Sequence, residues 1–254
     1  MKNYNKELDD LFDKWELESE FNGDTKFTRD GLMLKGEILH KENKNDIRIS
    51  GNENEQWHYA KKKILFLMKD INDTEGGNDV RTWIGRKKFS SFITHMFFKN
   101  ISLWLFGINS FNESKEFLPF KKAYNPEIYT KAFDSLPFSL VEIKKESGGG
   151  TVSNGALWDY VHKGKNGFNL KEQIEILNPN LLVCGGGSGT IFNIVQQIVY
   201  PDLKFEKINN WVYYSKKDEI VLIDSYHPTR NSYEGTYNGM MEAYKEYLLK
   251  INER

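Results

Sequence analysis

The chain of 254 residues is long enough for one large domain, and its 28% charged and 39% hydrophobic residues are typical of a soluble globular protein. The formal net charge of −1 excludes a globally basic nucleic-acid-binding protein, so any contact with DNA depends on local basic patches. The single cysteine, Cys184, excludes an internal disulfide and a cysteine-based zinc site. Because the sequence has no N-terminal apolar run and no apolar segment of membrane length, we expect a cytoplasmic location and no membrane partner.

The first 60 residues are predicted to be an addition to the main domain. Four apolar residues at helical spacing indicate an amphipathic helix: Leu8, Leu11, Phe12 and Trp15. The Phe-Asn-Gly-Asp turn at 21–24 ends this helix, and residues 24–60 are polar with little periodicity. We therefore divide the chain into an N-terminal helix with an irregular extension at 1–60 and an α/β domain at 61–254.

Four short apolar segments predict the strands of the main domain: residues 64–68, 138–143, 181–184 and 220–224. Continuous apolar runs that alternate with helices are typical of a parallel sheet that is covered on both faces. The predicted fold class is therefore α/β, in a three-layer α/β/α arrangement with a central, mainly parallel, four-stranded sheet.

Helical patterns fill most of the intervals between these strands. One face shared by five apolar residues predicts a helix over 89–97, and Ser153 is placed to cap another. Asn169, with Glu172 three residues later, resembles a capping box, and Asn178 before Pro179 ends that helix. Residues 205–214 are predicted to be extended with a break at 209–210, and a final helix covers 237–251.

Functional residues are expected where the strands end, because ligands of parallel sheets bind outside the carboxyl ends of the strands. The first strand leads into Lys-Asp-Ile-Asn-Asp at 69–73, where Asp70 or Asn72 can hold a water for attack, although these residue types also suit a solvated turn. The fourth leads into Ser-Tyr-His-Pro-Thr at 225–229. The neutral imidazole of His227 can donate to an oxygen that gains negative charge, or it can be satisfied by nearby backbone.

The second and third strand exits are rich in glycine. Glu142 lies inside an apolar strand, so it either has a partner, such as Lys144, or faces a site. Glycines 148–150 permit close approach of a phosphate or sugar, or they form a flexible surface loop. The third exit, 185–190, lacks the Walker lysine and the full GxGxxG spacing. Its amides can bind an anion, but a tight strand-to-helix turn explains the same glycines.

Local basic patches lie at 61–63, 86–88 and 144–145 and at Lys163 with Lys165. Those near strand ends are candidates for phosphate contacts, whereas most lysine runs are solvated faces. The remaining histidines have no metal-binding spacing: His40, His58, His95 and His162. We therefore expect no metal and no cofactor.

Taken together, the strand exits resemble those of the uracil-DNA glycosylase superfamily. In that superfamily one hydrophobic strand ends in a motif such as GQDPYH, GINPG or GEAPG, and a late strand ends in a second motif that begins His-Pro-Ser. Here residues 64–68 lead into Lys-Asp-Ile-Asn-Asp, and 220–224 lead into Ser-Tyr-His-Pro-Thr. The resemblance covers about residues 60–250 and implies a uracil-DNA glycosylase-like fold.

The resemblance also implies roles for individual residues. The first motif positions the attacking water. Setting its glycine on Asp70 makes Asn72 the catalytic residue, and setting it on Lys69 gives Asp70 that role. His227 matches the histidine that stabilises the departing base, and Trp83, or Phe89 as second choice, matches the aromatic residue that stacks on it. The full set of substrate-binding candidates comprises Trp83, Phe89, Glu142, Lys144, Gly149, Gly186, Ser188, Thr229 and Arg230.

The sequence departs from the family pattern at several positions. The proline of the first motif is absent, and Arg230-Asn231 stands where the family has an intercalating leucine. Glu142 stands nearest to the polar strand residue, commonly asparagine, that reads the edge of uracil. An ionised glutamate accepts two hydrogen bonds and donates none, which suits an amino-bearing base better than uracil.

The predicted function is that of a DNA glycosylase-like hydrolase of unassigned base specificity, with DNA or a nucleotide-like ligand as its partner. One alternative is a nucleotide- or nucleic-acid-binding protein on the same fold that lacks catalysis. A second is a hydrolase of free nucleosides or nucleotides.

Overall fold

A mixed α/β structure is built around one large sheet. The computed structural model describes residues 1–19, 26–40, 45–72, 77–111, 116–148, 152–186, 188–229 and 232–252. Its strands are β1 Gly31–Leu32, β2 Ile38–Leu39, β3 Ile47–Arg48, β4 Ile64–Asn72, β5 Ser139–Gly148, β6 Leu181–Gly185, β7 Glu206–Lys207, β8 Val212–Ser215 and β9 Ile220–Ser225. The predicted turn at 21–24 lies outside the described residues.

The central sheet has seven strands in the order β1-β5-β4-β6-β9-β8-β7, not the four that the sequence predicts. The four predicted strands form its parallel centre, since β5, β4, β6 and β9 are neighbours and run parallel. Three short strands add antiparallel edges: β1 pairs with β5, β8 with β9, and β7 with β8. β7 and β8 confirm the predicted extended segment at 205–214 with its break at 209–210. β1 was missed because two residues show too little alternation to reveal a strand. β2 and β3 form a separate two-stranded ribbon.

Two of the parallel strands continue beyond their apolar runs. β4 reaches Asn72 and β5 reaches Gly148, whereas the sequence predicts loops from Lys69 and Lys144 onward. Asp70 pairs with Lys144 and Asn72 with Gly148, across an irregularity in register. Backbone pairing does not require apolar side chains, so hydrophobicity alone ends the predicted strands too early. Several polar candidate residues therefore lie on paired strands.

The two faces of the sheet pack against different sets of helices. Along β4, Ile64, Phe66 and Met68 belong to one buried apolar cluster, and Leu65 and Leu67 belong to a second. This follows from the alternation of side chains along a strand. The helices have these bounds: α1 Tyr4–Glu18, α2 Glu53–Tyr59, α3 Met96–Ser110, α4 Phe120–Ala123, α5 Pro126–Ser135, α6 Asn154–His162, α7 Asn166–Leu177, α8 Thr190–Ile194 and α9 Tyr233–Asn252. A 3₁₀ turn at Val80–Thr82 and a π-helix at Val195–Val199 complete the regular structure.

The first cluster is covered by α3, α5 and α9, and the second by α1, α6, α7 and α8. The N-terminal helix is thus part of the packing against the sheet, with Leu8, Phe12 and Trp15 fully buried. The segment after it, which the sequence describes as an irregular extension with little core, contributes the buried residues Leu32 and Trp57. Within the described residues, no helix is both long and apolar enough to cross a membrane.

Several predicted helix boundaries are confirmed by capping geometry, and two are wrong. The side chain of Ser153 accepts from the amide of Ala156 at the start of α6, and Asn178 ends α7 in the left-handed region at φ +47°. However, α7 begins at Asn166, so Asn169 lies inside the helix and is buried. The predicted helix over 89–97 begins only at Met96, because residues 85–95 close on themselves as a loop.

Candidate functional site

A cavity of about 420 Å³ opens at the carboxyl edge of the parallel strands. This volume lies within the usual range for small-ligand sites. Six of the predicted site residues line it: Asp70, Trp83, Glu142, Gly186, His227 and Thr229. They come from the ends of β4, β6 and β9, the middle of β5 and the segment after the 3₁₀ turn. The strand-end rule therefore located this cavity correctly.

Glu142 is the most unusual group in the cavity. The residue is only 4% exposed, and its Oε2 has no hydrogen-bond partner among the described residues. Burial raises the pKa of Glu142 well above its usual value, the Asp30 carboxylate raises it further, and Lys145 partly opposes this. The protonated, uncharged carboxyl is therefore favoured. It offers one donor and one acceptor, unlike the ionised group that the sequence suggests.

Asp30 and Lys145 hold the backbone of Glu142 in place. The Glu142 amide donates to Asp30 Oδ2 at 2.8 Å, and Lys145 Nζ donates to the Glu142 carbonyl at 2.7 Å. Lys145 also donates to both Asp30 oxygens, at 2.7 and 2.6 Å, and Gln173 Nε2 donates to Oδ1 at 2.6 Å. The Lys145 and Asp30 side chains are both 0% exposed. Lys145 therefore cannot contact a phosphate, and the prediction for the 144–145 patch is wrong at this residue.

Replacing Glu142 with glutamine should stabilise the protein more at pH 8 than at pH 5. Above about pH 4.5, the usual glutamate pKa, the native state holds a proton that the unfolded state releases. Stability of the wild type is therefore lost as pH rises, by up to about 1.4 kcal/mol per pH unit from this group. Glutamine does not titrate, and the other ionisable groups, Asp30, Lys145 and Asp70 included, remain in both proteins. Urea unfolding at the two pH values measures the difference, and an equal difference at both would refute a protonated Glu142.

His227 is oriented by its own loop. Its Nδ1 lies 2.8 Å from Thr229 Oγ1 and accepts from the Thr229 amide at 3.3 Å. An amide can only donate, so in the neutral ring the proton is on Nε2. The loop is also anchored from α3, because the buried Asn100 side chain donates to the Pro228 carbonyl. The imidazole is 5.7 Å from the Phe97 ring, measured between centroids.

Asp70 faces the cavity from the end of β4, where burial raises its pKa. Lys144 and Lys69 oppose this increase. Lys69 Nζ donates to Asn154 Oδ1 at 3.0 Å, and Asn154 Nδ2 donates to Ser188 Oγ at 3.1 Å. These bonds connect the end of β4, the start of α6 and the turn after β6. Ser188 thus contributes to the rim and does not line the cavity.

Two of the remaining candidates, Lys144 and Phe89, do not line the cavity. Lys144 forms an ion pair with Glu146 at 3.5 Å, so it is not the partner of Glu142. Phe89 does not line the cavity and is 86% exposed, so of the two predicted stacking residues only Trp83 lies at the cavity wall. Gly149 and Arg230 lie outside the described residues. The backbone of Asn72 ends β4, but its side chain also lies outside what the structure describes.

Sequence reasoning missed several residues of the site. His95 and Phe97 line the cavity at the start of α3, and Asn100 positions the His-Pro segment from the same helix. His95 was considered only as a metal ligand, and within the described residues no group of three ligating side chains could hold a metal ion. Gly186 lines the cavity, but a Cβ there would lie 2.8 Å from Ile191 Cγ1. Close packing of this strand-to-helix turn therefore explains the glycine without an anion.

Comparison with known proteins adds no family assignment: the chain matches no protein-family model and none of the curated proteins.

Proposed function

We propose that the protein is a DNA glycosylase-like hydrolase, which binds a nucleobase in this cavity and cleaves its N-glycosidic bond with water. One observation carries the proposal: Asp70, Trp83, Glu142 and His227 line a single cavity at the strand ends. They supply a carboxylate, an aromatic ring, a hydrogen-bonding edge and an imidazole donor. A uracil-DNA glycosylase-like arrangement of the four parallel strands belongs to the same proposal.

Each of the four side chains has its own role in the proposed reaction. Trp83 stacks on the base, and the protonated Glu142 both donates to and accepts from its edge. A ring N–H beside a carbonyl, or a ring nitrogen beside an amino group, is complementary to that pair. As the bond between sugar and base breaks, its electron pair leaves with the base, and the Nε2–H of His227 stabilises the developing negative charge. Asp70 orients the water and accepts its proton as the new bond to the sugar forms.

A screen of labelled oligonucleotides tests this function. Single- and double-stranded substrates, each with one uracil, deaminated, alkylated or oxidised base, are incubated with the protein and then cleaved at abasic sites with alkali. Free nucleosides are screened in parallel for release of the base. Abasic product supports the proposal, and release from nucleosides alone indicates the nucleoside hydrolase. Retention of an oligonucleotide with no product from any substrate indicates the binding protein without catalysis.

Replacing Lys144 with methionine should move the acid limb of the activity profile to higher pH. Lys144 lowers the pKa of Asp70, so removing Lys144 should raise that pKa. The Asp70 side chain should then ionise only at higher pH. Rates measured across the acid range with the best substrate of the screen give the midpoint. Lys171→Met removes a half-buried lysine of α7 that pairs with Glu175 outside the cavity, and this matched control should leave the profile unchanged. An unshifted acid limb in Lys144→Met would exclude Asp70 as the group that must ionise.

A further inference from the structure

The loop of residues 85–95, called the rim loop, begins and ends at the cavity. Trp83 lies just before it and His95 is its last residue, and both line the cavity. The Gly85 carbonyl closes the base of the loop by accepting from the amides of Thr94 at 3.1 Å and His95 at 3.3 Å. The base of the rim loop therefore lies at the cavity wall.

Internal contacts hold the rim loop in one shape. Arg86 forms an ion pair with Asp134, and the Ile93 side chain is buried, with its amide donating to Thr130 Oγ1 at 3.2 Å. Across the loop, the Lys87 amide donates to Thr94 Oγ1 at 3.0 Å. The exposed tip is thus presented by an ordered base.

Phe89, at the tip, has an unfavourable backbone conformation and a largely exposed ring, with the Lys88 Nζ 5.4 Å from the ring centroid. Its backbone has φ +63°, in the left-handed region that disfavours bulky residues, and the residue is 86% exposed. Strain and exposed apolar area both oppose this arrangement in the free protein. Such an outlier is a reason to look for a function that uses the ring.

The charge around the ring points to an anionic partner. Residues 80–111 contain no aspartate or glutamate, although the whole chain has a net charge of −1. The same segment carries five basic residues: Arg81, Arg86, Lys87, Lys88 and Lys99. Arg81 pairs with Asp9 and Asp79, and Arg86 shares Asp134 with Arg48. Lys87 and Lys88 are the basic residues that directly precede Phe89. An exposed aromatic ring beside basic residues is an arrangement by which proteins bind single-stranded nucleic acid.

We propose that the rim loop binds a single-stranded segment of nucleic acid, with one base stacked on Phe89 and the neighbouring phosphates near Lys87 and Lys88. The inference rests on the proposed function only in that a base held in the cavity would bring its strand across this loop. An anionic lipid surface also attracts lysines and aromatic rings. The nucleic-acid strand is favoured because the loop is continuous with the cavity through Trp83 and His95.

The test measures binding of a labelled oligothymidylate of about 15 nucleotides by fluorescence anisotropy at low salt. Phe89→Gly should weaken binding by roughly 5- to 150-fold, the range for loss of one base–aromatic stack. The same variant should melt a few degrees higher, because glycine adopts positive φ without strain. Lys87→Gln should reduce the log–log salt slope by about 0.7, as for one lost phosphate contact on a single strand. Phe168→Ala removes a 62% exposed phenylalanine from α7 and should leave binding unchanged.

Equal affinity of wild type and Phe89→Gly for the oligonucleotide would overturn the proposal. So would a loss of affinity in Phe168→Ala as large as that in Phe89→Gly. Co-sedimentation with phosphatidylserine vesicles that depends on Phe89, without oligonucleotide binding, would instead assign the loop to a membrane surface. Failure of the proposed function is distinguishable. Loss of binding in Phe89→Gly with no abasic product from any substrate would support the loop and refute the glycosylase. Abasic product from the wild type, with unchanged binding in Phe89→Gly, would support the glycosylase and refute the role of the loop.

Discussion

Replacing His227 with alanine is expected to lower the turnover of the best oligonucleotide substrate by roughly 10²–10³-fold, as for loss of one preorganised donor to a developing anion. The Thr229 amide donates to Nδ1, which makes Nε2–H the donor of the neutral ring. Negative charge accumulates on the base only as its bond to the sugar breaks. The affinity for uncleaved substrate should therefore change little, because the interaction strengthens mainly in the transition state.

Single-turnover rates and binding constants, measured on the same substrate, separate these two effects. His162→Ala is the matched control, because this exposed histidine on α6 contacts the Trp158 carbonyl and lies outside the cavity. Turnover by His227→Ala equal to that of the wild type would place the chemistry elsewhere. A variant that binds more weakly, with no turnover by the wild type on any substrate, would favour the binding protein without catalysis.

Replacing Lys145 with methionine should destabilise the protein by roughly 3–5 kcal/mol, because it leaves the Asp30 carboxylate buried without its cation. The Gln173 amide and the Glu142 backbone N–H still donate to Asp30, but neither carries a charge. Burial lowers the pKa of Lys145, and the Asp30 carboxylate opposes this decrease, so the ion pair favours the charged ammonium form. Urea unfolding of wild type and variant measures the loss.

Lys144→Met is a neighbouring control with a different expected outcome. Lys144 pairs with Glu146 at 3.5 Å, and the two side chains keep some contact with solvent at 19% and 16% exposed, so its loss should cost clearly less than the loss of Lys145. Combining Asp30→Asn with Lys145→Met should recover part of the stability, since the uncompensated charge is then removed. Equal stability losses in Lys144→Met and Lys145→Met would mean that the buried pair contributes nothing specific.

The ion pair has a functional consequence as well as a structural one. Asp30 and Lys145 bind the amide and carbonyl of Glu142, so they position the residue that faces the cavity. The N-terminal segment, which brings Asp30 to β5, thereby supports the candidate site although it does not line it. This connects the stability of Lys145 variants to the geometry of the cavity.

Local sequence patterns were sufficient to predict the parallel centre of the sheet and the position of the cavity. A continuous apolar run is buried on both faces wherever it packs, so the runs at 64–68 and 220–224 identify strands without knowledge of their neighbours. The carboxyl ends of parallel strands meet at one edge, so Asp70 and His227 were expected to lie near each other. Ser153 and Asn178 act within one turn of helix, which is why their capping roles could also be predicted.

Contacts between residues far apart in the sequence determined the charge and environment of the site residues. Lys144 and Lys145 are the same residue type in adjacent positions. Only the contact with Asp30, 115 residues away in sequence, makes Lys145 a buried ion, whereas Lys144 stays near the surface. The raised pKa of Glu142 depends on the same cluster, because burial and a neighbouring carboxylate are properties of the packed state. Phe89 has an ordinary local sequence, and its exposure at positive φ results from the closure of the rim loop. The residue types of the site follow from the sequence, whereas their charge and environment depend on tertiary packing that no local pattern records.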